Sequence, residues 1–200
     1  MKKGKKRGEA NVPLIIISVF GGITLILIIA FVYMSLYGPN YTETYNQKIQ
    51  SGEIQNPITE FQLSNDVQKN KILIENNLLG TLNTSEIKKG LIKYASVILQ
   101  LYNLHNIPFT QITPKIQVYI GQDAYNVEVT EGTIIIKEGE IQDADIIIRT
   151  TNEEALKISE NGNYAKGSVS SGKTTIEFVA SKIILFAKGY STLYQELNKQ

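Results

Sequence analysis

The chain has 200 residues, 20 Lys and Arg against 19 Asp and Glu, a net charge of +1, one histidine and no cysteine. Disulfide frameworks, thiolate zinc sites and cysteine nucleophiles are therefore excluded, and a Ser-His-Asp arrangement could be built only around His105. The first thirteen residues are basic (Lys2, Lys3, Lys5, Lys6, Arg7 against Glu9), whereas the charges after Tyr37 are scattered and leave no clustered surface for nucleic acid.

Leu14 to Tyr37 contains no ionisable acid or base, and about 20 apolar residues at 1.5 Å per residue cross a bilayer core. This predicts a transmembrane helix over 14–37, bounded by Pro13 and by Gly38-Pro39, with Tyr33 and Tyr37 at its distal interface. The basic flank then places residues 1–13 in the cytoplasm and the rest on the outer face of the cell membrane, as a single-pass protein. A cleaved secretory signal fits less well, because the apolar run is long and no small-x-small site follows it. Lys6-Arg7-Gly8 before an apolar helix resembles a type IV pilin leader, although Pro13 stands where pilins carry a glutamate. Asn40-Tyr41-Thr42 and Asn83-Thr84-Ser85 match the glycosylation acceptor pattern.

Residues 38–57 are polar, with turn formers at both ends, and read as a juxtamembrane linker; 58–200 form the soluble domain, in which 58–80 show no clear period. Asn83-Thr-Ser-Glu86 resembles a capping box, and Ile87, Leu91, Tyr94, Ala95, Ile98 and Tyr102 follow at helical spacing. His105 falls near the end of that helix, a position that favours a structural role. The period then changes to two. Ile116-Val118-Ile120, Tyr125-Val127-Val129, Ile134-Ile136 and Ile146-Ile148 read as four strands with short, antiparallel connections. Thr151 to Glu154 is a second capping signal for a short helix, KTTIEFV is a fifth strand, and helical character runs from Ser181 to Leu197 with a break at Gly189. The expected fold class is α+β: one N-terminal transmembrane helix, then a five-stranded, mostly antiparallel sheet covered by helices on one face.

Gly167 to Thr174 satisfies the phosphate-loop pattern G-x-x-x-x-G-K-[ST]. A turn-rich polar stretch precedes it where a buried strand is required, so it reads as a turn entering a strand, with no nucleotide bound. Asp143 and Asp145 are too few for a calcium site and read as a solvated strand edge. Glu153-Glu154 suits a helix first turn, and Tyr164, Tyr190 and Tyr194 suit core packing.

Ala144-Asp145-Ile146-Ile147-Ile148, Thr151-Asn152-Glu153-Glu154-Ala155-Leu156 and Ser171-Gly172-Lys173-Thr174-Thr175-Ile176-Glu177 resemble the sterol-carrier-protein-like lipid-binding domain over about residues 116–197. The usual GxxxP-like segment is missing, with Asn161 to Lys166 in its place. The resemblance implies a five-stranded sheet covered by helices and a non-enzymatic, cofactor-free apolar cavity between them, for a lipid or acyl chain. The inward-parity residues Ile134, Ile136, Ile146, Ile148, Ile176 and Phe178, with Leu185 and Phe186, are the expected ligand-binding lining; otherwise they close into a filled core. No residue is expected to be catalytic or metal-binding. The alternative function is a structural or interaction protein of the cell surface, a pilin-like subunit or anchored scaffold domain without a ligand.

Overall fold

The computed structural model describes residues 12–56, 85–160, 164–191 and 193–194, with side chains in the first helix from Ile23 onward. Its helices are α1 (Val12–Leu36), α2 (Thr42–Gln50), α3 (Ser85–Ile98), α4 (Asn152–Glu160), α5 (Tyr164–Ser170) and α6 (Lys182–Ala187), with a 3-10 turn at Leu101–Asn103. Its strands are β1 (Lys115–Ile120), β2 (Asp123–Thr130), β3 (Thr133–Glu138), β4 (Ile146–Thr150) and β5 (Thr175–Phe178), ordered β3-β2-β1-β4-β5 in one sheet.

The sheet is mixed. β1–β2 and β2–β3 pair antiparallel as their short turns dictate, and β4–β5 pair antiparallel across the two helices α4 and α5, but β4 lies parallel to β1, with Val118 opposite Ile148. The reading of β3 to β4 as one more antiparallel step is corrected: β3 occupies an edge, and residues 139–145 carry the chain across to the far side of β1. Gln117 holds this crossing, donating from Nε2 to Tyr125 O at 2.9 Å and accepting from Ile141 N at 2.7 Å. Alternation puts Ile116, Val127, Ile136 and Ile146 in one row, all on the same face. That face and the helices form the main core, with Ile116, Val127, Val129 and Ile146 fully buried and Leu91, Ile92, Leu101 and Leu193 against them.

Within 38–57, α2 joins the domain. Tyr45 stacks on Tyr102 at 4.3 Å between ring centroids and donates its hydroxyl to Gly132 O at 2.7 Å. Gly132, at φ +75°, turns β2 into β3, and a Cβ there would lie 2.5 Å from the Tyr41 ring. Asn56 Nδ2 adds a bond to Ser159 O. His105 follows the 3-10 turn, its ring slotted between Gly38 and Gly189, where an added Cβ would meet it at 2.3 and 3.1 Å. Gly189 has φ +82° and ends the turn after α6, at the break its sequence position suggested.

Among the described residues no helix is long and apolar enough to cross a membrane. The side chains of α1 are described from Ile23 onward. They include exposed apolar groups such as Ile26 and Leu27. The expectations of a transmembrane helix at 14–37, of an integral single-span membrane anchor, and of a cytoplasmic N-terminus with an outward-facing domain are corrected accordingly. Gly8, Asn83 and the 58–80 segment lie outside the described residues.

Candidate functional site

Helix α3 presents Leu91, Ile92, Ala95 and Ser96 along one stripe, as residues three and four apart on a helix must, and Leu99 just past its end continues it. Small residues in that stripe stand opposite small residues on the neighbouring helices, Ala155 on α4 and Ala165 on α5. The floor is the inward face of β1, β4 and β5: Val118, Ile120, Ile148 and Ile176. With alanines where the core would need larger side chains, the layers do not close. A partly open cavity of about 90 Å³ remains, with an almost wholly apolar lining.

One end of this cavity meets a buried chain of hydroxyls. Thr150 Oγ1 is 2.9 Å from Thr174 Oγ1, which is 2.8 Å from Ser168 Oγ, and Ser168 donates to Glu154 Oε2 at 2.8 Å. An ionised carboxylate only accepts, so the chain runs in one direction: Thr150 donates to Thr174, Thr174 to Ser168, and Ser168 to Glu154. Burial raises the Glu154 pKa, but the bonds from Ser168 and Tyr164 and the charges of Lys173 and Lys157 outweigh it and hold the carboxyl below the usual range. The capping bond read in the sequence is made, from Glu154 N to Thr151 Oγ1 at 3.1 Å.

The expected lining residues divide among three places. Ile148 and Ile176 line the cavity. Ile146 is fully buried in the core, with Ile134 and Ile136 packed against it. Phe178, Leu185 and Phe186 line a separate, more open groove of about 450 Å³ beside α6, with Lys182, Tyr190 and Tyr194. Parity places the strand residues on the right face, but the parallel β1–β4 pairing decides which of them lie under α3. Leu91, Ile92, Ala95, Ala155 and Ala165 were missed as lining; the run of small residues at helical spacing was the available signal.

Asp145 also departs from its sequence reading as a solvated edge residue. It is buried and receives Lys188 Nζ at 2.7 and 2.8 Å, Tyr190 Oη at 3.0 Å and Lys115 N at 2.7 Å. This saturated cluster ties the turn after α6 to the strands. Burial, and then the charge of Asp145, push the Tyr190 pKa well above its ordinary 10.0. In the phosphate-loop pattern, Gly167 to Ser170 belong to α5, and the amides of Lys173 and Thr174 donate to Ser168 O at 3.0 and 3.1 Å. A helix running into a strand reverses the order a phosphate loop requires. Among the described residues no group of three His, Asp or Glu side chains is placed to hold a metal ion.

Comparison with known proteins yields weak likenesses of fold. No family model matches, and no curated protein matches. Among solved structures, the chain is similar to palmitated SCP2L2 from Aedes aegypti, with 12% identity and a TM-score of 0.36 over 55% of this chain and 93% of that one. It is also similar to the ubiquinone synthesis protein UbiJ-SCP2, with 13% identity and a TM-score of 0.31 over 62% and 92%. A double mutant of the sec-alkyl sulfatase PisA1 matches at 10% identity and a TM-score of 0.35 over 52% of this chain, which spans only 16% of that enzyme. The expected membrane-anchored form of a sterol-carrier-like domain is corrected by the described residues, among which no helix is long and apolar enough to cross a membrane. The pilin-like alternative draws no support from the described residues or from these likenesses.

Proposed function

We propose that the domain is a non-enzymatic binding module that takes an apolar ligand between its sheet and helices α3 to α5. The observation that carries this reading is the cavity itself: about 90 Å³, almost wholly apolar in lining, where a native core ordinarily fills its space. Pockets for drug-sized ligands measure about 300–1,000 Å³, so the cavity as it stands admits a chain end and not a whole lipid. Ile148 and Ile176 remain in the proposed lining, joined by Leu91, Ile92, Val118 and Ile120. Any charged head must stay outside, since burying a charge without a partner is costly and no charged side chain lines the cavity among the described residues.

The test is native mass spectrometry of the full chain, expressed in a lipid-rich host, before and after organic extraction. An apolar adduct that leaves on extraction, and whose readdition shifts the methyl signals of Ile148 and Ile176, is the expected result. A bare mass with no uptake of added alkanes or fatty acids would overturn the reading.

A further inference from the structure

Among the described residues, three polar side chains line the cavity: Ser96, Thr150 and Thr174. The hydroxyl hydrogens of both threonines are committed to the chain that ends at Glu154. Ser96 differs. It is 3% exposed, and its hydroxyl has no hydrogen bond to any described residue. A serine inside a helix commonly bonds back to a carbonyl of the preceding turn, and buried polar groups are rarely left single. Ser96 therefore brings an unused donor into an almost wholly apolar space.

We infer that Ser96 is a polar subsite of this cavity, and that the ligand group seated there carries one neutral oxygen acceptor, a ketone, ester, ether or alcohol, on an aliphatic chain. This rests on the reading of the cavity as a ligand site. A carboxylate is disfavoured at the same position, because among the described residues no cationic side chain lines the cavity to offset its burial. A plain hydrocarbon would fill the space but leave the Ser96 donor unpaired.

The experiment compares two probes of matched size, pentan-2-one and n-hexane, titrated into the full chain and followed by the methyl signals of Ile148 and Ile176. Ser96→Ala should weaken pentan-2-one about fivefold, the range of one net hydrogen bond, and leave n-hexane unchanged. Unchanged n-hexane binding also shows that the variant keeps its fold and its cavity. Equal losses for both probes, no loss for either, or a bound water at Ser96 that the ketone does not displace would overturn the subsite while leaving the cavity reading intact. If neither probe moves these methyls in the unmutated chain, the cavity reading falls and the subsite with it.

Discussion

The two ends of strand β4 solve the same packing problem in opposite ways. At Asp145, just before the strand, a buried carboxylate meets Lys188, Tyr190 and the amide of Lys115, and every strong donor nearby is used. At Thr150, the last residue of the strand, the side chains on the inward face border a void, and the Ser96 hydroxyl beside it has no hydrogen-bond partner among the described residues. The first end fixes the turn after α6 on the sheet. The second leaves space under α3, α4 and α5, and unfilled apolar space is what a ligand can occupy. A fold can tolerate such a void when the rest of the interface is well determined, because each missing contact costs only a small part of the whole.

The largest expected effect is at the saturated end. Asp145→Ala leaves the Lys188 ammonium buried without its partner and should lower unfolding stability by roughly 3–5 kcal/mol in urea titrations. A loss below about 1 kcal/mol would mean that the cluster does not hold the sheet as described.

Tyr190→Phe removes one donor to the same carboxylate and should cost about 1.5–3 kcal/mol at neutral pH. It also carries a pH signature. Folding raises the Tyr190 pKa, so its contribution is complete below the unfolded value of 10.0 and is lost as pH climbs through that value toward the higher folded one. The unmutated chain should therefore lose stability above about pH 10, and the phenylalanine variant should show a shallower alkaline slope. Equal slopes in the two would remove Tyr190 from that account.

At the open end the sign reverses. Ala95→Ile adds methyl groups where the cavity lies, so it should raise stability by about 1–2 kcal/mol and abolish uptake of n-hexane. A destabilised variant would mean that the void is too narrow or misshapen for them, and the contrast between the two ends would weaken.

The smallest effect serves as a control distant from both ends. Tyr45→Phe loses the bond to Gly132 O but keeps the ring on Tyr102. It should cost about 1 kcal/mol in the same titration, with no change in ligand uptake; because burial raises the Tyr45 pKa too, this variant should also show a shallower alkaline slope. A change in uptake would tie α2 to the cavity.

Local pattern carried much of this fold, because alternation and helical spacing are set by backbone geometry that a sequence displays directly. The five strands, the capped start of α4 and the break at Gly189 all follow from such signals. So does the common face of Ile134, Ile136, Ile146, Ile148, Ile176 and Phe178, since parity survives any change of strand order. Partner choice between strands has no local signal. The parallel seating of β4 beside β1 depends on a crossover whose hold, Gln117, looks in the sequence like an ordinary outward residue. That pairing also turns Asp145 from an apparent edge residue into the centre of a buried ionic cluster. Position along β5 then separates Ile176, which borders the cavity beside Ile148, from Phe178, which pairs with Ile146 and lies in the groove beside α6. The sequence by itself determined the elements and their apolar faces, because these are properties of neighbours along the chain. Only the tertiary structure decided where the layers fail to close, because a void belongs to side chains from five separate elements or more that meet only once the sheet and helices are stacked.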